Sequence, residues 1–300
     1  MTFLLPPLLF AAAFPVLAVA ELLMSLQEYF TLSPFDPSDK VIVVTGASSG
    51  IGQQIAIKYA AKNANVVLVA RRPDQLKVVA QKCREAGAKS VRLECVDVGV
   101  EEDVKRVMVQ TGTVFGHIDL VVLNAGISMG EYAREVVDIS AYTSIMQTNF
   151  NGFVAGVIYA LPYLKKAKRG KIVGVSSLLG LVGGETRTGY CASKFAMKGF
   201  LDSLRLEEPS IDCTMVYPGV VNTDINRTRI GNKGHINTDG PNVMTAEEAA
   251  DRIVDAVNRG ARDDVYTFNH NLLYYIKDVF PRVRDAIMRA NFKKLLKKNV

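Results

Sequence analysis

The chain has 300 residues, 49% of them hydrophobic, enough to bury one large core or two modest ones. Its formal charge of +6 lies in one place, because seven Lys or Arg and a single acid between Arg282 and Lys298 account for the whole excess. The remainder is close to neutral and Trp is absent, which excludes a basic nucleic-acid-binding body and leaves no expected nucleic-acid partner.

Residues 1–30 form the first unit. Phe3 to Ala20, "FLLPPLLFAAAFPVLAVA", carries no charge, and Leu22, Leu23 and Met24 extend it past Glu21. At about 1.5 Å per residue this run barely spans a hydrocarbon core of about 30 Å. A cleaved signal peptide would have a basic stretch ahead of the apolar one, and none is present, so an uncleaved membrane anchor is expected. Pro6, Pro7 and Pro15 also permit a kinked insertion that dips in without crossing. The polar "TLSPFDPSD" at 31–39 reads as a linker.

From residue 40 to about 275 short apolar runs alternate with helical stretches. Strands are predicted at 41–44, 65–70, 90–98, 118–126, 170–177 and 211–219, with 263–268 as a weaker seventh. Continuous apolar runs of this length mark strands buried on both faces. Helices are predicted at 51–62, 73–86 and 101–115, among others. The alternation predicts an α/β fold: a single doubly wound, Rossmann-type parallel sheet with helices on both faces, its ligands beyond the carboxyl ends of the strands. Residues 276–300 read as a basic amphipathic C-terminal helix.

The unusual residues fall at those strand ends. The first strand runs into "TGASSGIG", where Gly46, Gly50 and Gly52 permit close backbone at a strand-to-helix turn that favours a pyrophosphate, with Ser48, Ser49 and Ile51 between them. The second ends in Arg71 and Arg72, where NAD would want an acid and a 2′-phosphate wants a base, so NADP(H) is the expected coenzyme; Asp74 stands nearby. Asp97 and Val98 end the third strand, and the Asp97 carboxylate can accept from an adenine amino group. Asn124, Ala125 and Gly126 end the fourth. Ser176 and Ser177 end the fifth, and Pro218, Gly219, Val221 and Thr223 follow the sixth on the nicotinamide side. Within "TGYCASKFAMKGF", Tyr190 and Lys194 are one helical turn apart and share a face. A cation beside a phenol whose ordinary pKa is about 10 suits proton transfer. Cys83, Cys95, Cys191 and Cys213 lack C-x-x-C spacing, and His117, His235 and His270 are scattered, so neither a metal site nor a disulfide is expected.

The glycine loop, N-A-G, an Asn in "TNFNG", a Ser thirteen positions before a Tyr, and Y-x-x-x-K appear in that order from Val41 to about Val265. Together they resemble the short-chain dehydrogenase/reductase family. "TGASSGIG", "VSSLLG", "YCASKFAMKGF" and the apolar N-terminus are similar to its membrane-anchored 11β-hydroxysteroid-dehydrogenase-like branch. The resemblance implies an NADP(H)-dependent oxidoreductase in which Tyr190 is general acid or base and Lys194 favours the phenolate and holds the nicotinamide ribose. Ser177 would then stabilise charge on the substrate oxygen, while Asn149, preferred to Asn151 because Gly152 completes N-x-x-G, would bind a water leading to solvent. Leu178, Leu179, Leu181 and Val182 near the site, with the anchor, suggest a lipophilic ketone or secondary alcohol, steroid-like or another lipid. A 3-ketosphinganine or retinoid reductase, or a non-enzymatic NADPH-binding membrane module, are the alternatives. A homodimer is compatible with the resemblance.

The ending "KKNV" resembles a dilysine signal read from the cytosol, and the basic residues, all of which follow the anchor from Lys40 onward, also favour the cytosolic side. Asn226-Arg227-Thr228 is a glycosylation sequon that argues for the lumen. The expectation is an endoplasmic-reticulum membrane protein with its catalytic domain in the cytosol.

Overall fold

A computed structural model describes residues 15–20, 22–24, 34–226, 228–234, 243–266 and 280–297. Most of the expected anchor, the first residues of the linker, Arg227 of the sequon, residues 235–242, residues 267–279, and Lys298 of the dilysine ending lie outside the described residues.

Seven strands form one parallel sheet in the order β3-β2-β1-β4-β5-β6-β7. They are β1 (Val41–Thr45), β2 (Asn65–Ala70), β3 (Ser90–Cys95), β4 (Leu120–Leu123), β5 (Lys171–Val175), β6 (Asp212–Tyr217) and β7 (Asp263–Val265). In β1, β2, β4 and β5 every residue is buried, because helices cover both faces. Successive side chains enter opposite layers: Ile42, Val44, Leu120 and Val122 pack with Ile55, Tyr59 and Ile253, whereas Val43, Val121 and Leu123 pack with Met108, Phe153 and Met215. The third strand departs from the expectation of burial on both faces. It stops at Cys95 and most of its residues are half-buried, because it lies at the sheet edge with a neighbour on one side only.

The helices are α1 (Gly50–Ala60), α2 (Pro73–Ala86), α3 (Glu101–Phe115), α4 (Ser140–Met146), α5 (Gly152–Leu164), α6 (Thr188–Glu207), α7 (Ala246–Asn258) and α8 (Pro281–Lys297). Pro73 starts α2 and Gly87, at φ 104°, ends it, the asymmetry that made its bounds readable. Glu101, Glu102 and Asp103 complement the dipole at the start of α3. A reciprocal Thr245–Glu248 capping box starts α7. The C-terminal helix α8 is described from Pro281, the expected start at 276 lying outside the described residues, and Met288 touches the layer that contains Met108 and Phe153.

The chain winds outward from β1 in one direction to β3 and in the other, through β4, to β7. The order therefore reverses between β1 and β4, which opens a crevice beyond their carboxyl ends. Among the described residues no helix is long and apolar enough to cross a membrane. The helical stretches at 15–20 and 22–24 leave Val16, Leu17, Leu22 and Leu23 exposed.

Candidate active site

One side of the crevice is the turn between β1 and α1. Thr45 Oγ1 accepts from the backbone amides of Asn124 (3.0 Å) and Ala125 (3.1 Å), binding the end of β4 to the end of β1. Asn124 returns its side-chain amide to the Thr45 carbonyl at 3.1 Å. The glycines answer to this closeness. A Cβ on Gly52 would lie 2.5 Å from the Gly46 carbonyl oxygen and 2.6 Å from Asn124 Nδ2. Gly46, at φ 67°, would meet Asn124 Nδ2 at 2.8 Å and Ala125 Cα at 2.9 Å. Both are required by protein packing alone, whereas Gly50 (φ 57°) faces outward to Thr223.

Ser49 precedes α1 in extended backbone and makes no side-chain capping bond, so the first amides of an 11-residue helix are left for another acceptor. The Ser48 and Ser49 hydroxyls are bonded to Arg72, whose Nη2 lies 3.0 Å from Ser48 Oγ and 2.6 Å from Ser49 Oγ. The two arginines thus part company: Arg72 faces the glycine loop, while Arg71 reaches Asp97 Oδ2 at 3.4 Å. Asp97 also accepts from the Gly99 amide at 2.9 Å, and Val98 is buried where α5 begins, its carbonyl against Gly152. A cleft of about 290 Å3 opens beside α1, lined by Gly50, Gln54, Asn222, Thr223, Asp224 and Ala246. Pro218 accepts from the Leu178 amide, while Val221 pairs with Met244; of the segment that follows β6, Thr223 lines this cleft, whereas Pro218, Gly219 and Val221 are not among its lining residues.

The other side centres on α6. Tyr190 and Lys194 face inward from consecutive turns, and Ser177, ahead of a short 3-10 turn at Leu178–Gly180, brings its hydroxyl to the Tyr190 phenol. Burial pushes the Tyr190 phenol up to about 12, while the Ser177 hydrogen bond and the Arg187 charge act in the opposite direction and Cys191 adds to the rise. Burial pulls the Lys194 ammonium down to about 8. That ammonium lies 5.7 Å from the Tyr190 ring centroid and donates to the Val175 carbonyl at 2.9 Å. A methyl on Gly126 would come within 3.2 Å of Asn149 Oδ1 and 3.6 Å of Lys194 Nζ, so the end of β4 meets both.

Asn149 sits in a π-helical turn, Gln147–Asn151, between α4 and α5. The wider turn, a frequent mark of functional sites, carries its side chain to Ile127, where it accepts from the amide at 2.8 Å and donates to the carbonyl at 2.9 Å. It also donates to Ser193 Oγ at 2.9 Å, and Ser193 donates in turn to the Tyr190 carbonyl at 2.8 Å. The structure therefore brings Asn149, Ser177, Tyr190 and Lys194 together across four separate stretches of chain. Ser176 is buried against Gly180, which also meets Lys194, and its hydroxyl has no hydrogen-bond partner among the described residues. Leu181 and Val182 differ from the expectation that they stand beside the site. Both are buried in the layer with Met197 and Leu201, and of the four apolar residues expected beside the site only Leu179 packs in the small cluster with Tyr190, Met129 and Ile145.

Sequence reading missed three contributors. Thr45 stands directly before the glycine loop and Ser193 lies one turn beyond Tyr190 on the same helix, so each had a positional signal. Arg187 had none: a charged residue in a polar turn reads as surface, yet it is 1% exposed.

The family model described as short chain dehydrogenase matches residues 40–233. Among curated relatives, 11-beta-hydroxysteroid dehydrogenase-like 4A of Arabidopsis thaliana is 37% identical over 257 residues, 84% of each chain. The 11-beta-hydroxysteroid dehydrogenase-like 2 of the same plant is 33% identical over 99% of this chain and 96% of its own. Among solved structures, an alcohol dehydrogenase from the archaeon Thermococcus sibiricus, complexed with 5-hydroxy-NADP, superposes with a TM-score of 0.67 at 25% identity, over 75% of this chain and 94% of that one. A family match over most of the sheet, joined to relatives alike over most of their length, makes this chain a member of the short chain dehydrogenase family, an oxidoreductase acting on CH–OH and C=O groups.

Proposed function

We propose that the protein interconverts a lipophilic ketone and its secondary alcohol with NADP(H), using Tyr190 as general acid and base. The observation that carries this reading is the buried Tyr190 phenol, influenced by the nearby Ser177 hydroxyl and flanked by Lys194, on the side of the crevice opposite an uncapped helix start under Arg72.

The residues present fit a dinucleotide. The free amides at the start of α1 and the outward-facing Gly50 suit a pyrophosphate, and Arg72 on Ser48 and Ser49 forms a donor cluster suited to a 2′-phosphate. The Arabidopsis relatives carry hydroxysteroid dehydrogenase names and the archaeal neighbour holds an NADP derivative, which agree with this choice. When bound, the nicotinamide gives or accepts the hydride. The chain's own part is proton handling. Tyr190 protonates the carbonyl oxygen during reduction and recovers that proton during oxidation. Ser177 donates to the same oxygen as negative charge develops there. Lys194 would hold the nicotinamide ribose, and Asn149 fixes Ile127 and, through Ser193, the turn of α6 that carries Tyr190.

The purified protein, assayed with NADPH and NADH against a panel of steroid, long-chain and retinoid ketones and 3-ketosphinganine, should favour NADPH and a lipophilic ketone. Equal use of the two coenzymes would overturn the coenzyme assignment.

We also place the protein at the endoplasmic-reticulum membrane with its catalytic domain in the cytosol. The exposed apolar residues at 15–24 support the membrane part of this reading, as do Phe280 just before α8 and Val283 and Ile287 within it, exposed among Arg282, Arg284 and Arg289. Protease should degrade the domain in intact microsomes. Full protection without detergent, or a glycan on Asn226, would put it in the lumen.

A further inference from the structure

Beyond Tyr190, three stretches of chain distant in sequence are tied together. The Gly130 amide donates to the Ile230 carbonyl (2.7 Å), the Ile230 amide to the Ser128 carbonyl (2.9 Å) and the Lys233 amide to the Gly130 carbonyl (2.6 Å). The Glu131 amide donates to the Thr186 carbonyl at 3.1 Å, joining the turn that leads into α6. Arg187 lies at the centre. Its guanidinium donates to the Met129 carbonyl and, at 2.7 Å, to the Gly234 carbonyl. Carbonyl oxygens, rather than a carboxylate, take up this buried cation, and Arg229 stands beside it, so burying it is costly.

A second cost lies next to it. Thr186 is β-branched yet holds φ 64°, and its buried hydroxyl has no hydrogen-bond partner among the described residues. Two unfavourable features side by side persist only where the surroundings over-determine them. Here the strained turn directs the Arg187 side chain inward, three positions before Tyr190. The glycines on the opposing stretches leave the room: a Cβ on Gly130 would lie 2.8 Å from Arg187 Nη1, and one on Gly234 would run into Thr186 Oγ1.

We propose that Arg187 is a positioning residue that fastens the 228–234 loop and the 128–131 segment to the start of the Tyr190 helix, so that one buried cation sets both the substrate-side wall and the placement of the proton donor. This rests on the reading of Tyr190 as that donor. Arg187 contacts no reacting atom; beside the pull of its charge on the Tyr190 phenol, it acts through the backbone of all three stretches.

The test compares Arg187→Met and Arg187→Lys with the unmodified full chain. In Arg187→Met, hydrogen exchange at the amides of Gly130, Ile230 and Lys233 should accelerate at least tenfold. KM for the best ketone of the panel should rise at least tenfold while the NADPH Kd moves less than about twofold. Arg187→Lys, which keeps the charge and one donor direction, should recover part of both. Should Arg187→Met fail to fold, Gly130→Ala pushes on the same clasp with Arg187 intact and should accelerate the same amides. Unchanged exchange in whichever variant folds, or a loss of NADPH affinity parallel to the rise in KM, would overturn the proposal. Tyr190→Phe separates the two readings: retained turnover there refutes the proton donor, whereas the exchange result reports on Arg187 without any chemistry.

Discussion

The proposed coenzyme wall of the crevice rests on strand ends held in register, whereas the proposed substrate wall is three irregular stretches held together by bonds to a buried arginine. On the first side, β1, β2 and β4 are neighbours, and the positions of Gly46, Asn124 and Arg72 follow once those strands pair. On the second, residues near 130, 187 and 232 meet with no regular element beyond the first turn of α6 to place them. Parallel pairing repeats one hydrogen-bond pattern along the strand, so a single register fixes many atoms. A loop clasp must be specified bond by bond, and there function can change without disturbing the sheet.

The largest effect separates chemistry from both walls. Tyr190→Phe should lower turnover by about 10²–10⁴-fold, with NADPH binding by fluorescence titration nearly unchanged. In the unmodified enzyme, alcohol oxidation needs the phenolate of a group pushed up to about 12, so kcat/KM for oxidation should climb with pH across the alkaline range. Ketone reduction, which needs the phenol, should not climb with it. Loss of the climb from the profile would remove Tyr190 as the titrating base.

Breaking the coenzyme wall comes next. Gly52→Ala places a methyl 2.5 Å from the Gly46 carbonyl, and overpacking of this kind costs about 1–3 kcal/mol. A falling Tm together with weakened NADPH binding is expected. An unaltered Tm would mean that the β1–α1 turn can yield, contrary to its dense bonding. Arg72→Ala sharpens the comparison more gently. It should reduce the NADPH over NADH preference about tenfold, roughly what one charge-assisted contact of about 1.5 kcal/mol provides, and leave the ketone KM alone. Arg71→Ala should do less, because Arg71 lies on Asp97 and away from Ser48 and Ser49. The reverse order of effects would reassign the pair.

The smallest effect lies in the helix behind the coenzyme wall. The Tyr59 hydroxyl is fully buried and has no hydrogen-bond partner among the described residues. Tyr59→Phe removes an unsatisfied polar group at little change of shape, so thermal unfolding should show an equal or higher Tm.

Much of the coenzyme wall was legible because it obeys local rules. Apolar runs gave the strands, and Pro73 with Gly87 bracketed α2. The thirteen-residue interval from Ser177 to Tyr190 and the four-residue interval to Lys194 survived because one helix and one strand end carry them. Some details escaped. Whether Arg71 or Arg72 faces the loop is a one-residue choice at a strand end, decided by the competing pull of Asp97 and of the two serines. That Leu181 and Val182 are core, not lining, depended on how the chain turns after the 3-10 segment, which hydropathy does not encode. Edge exposure of β3 was invisible because strand order is a property of the whole sheet.

By itself, the sequence determined an alternating α/β fold, a glycine turn after the first strand and a Tyr–Lys pair on one helical face, since each depends on residues close in the chain. The tertiary structure alone decided that Arg187 is buried. It also routed Asn149 through a π-turn to Ile127 and Ser193, and made Gly46 and Gly52 necessary to the protein's own packing. Most of those outcomes depend on residues 22 to 80 positions apart meeting within hydrogen-bond distance, and no local pattern carries that geometry.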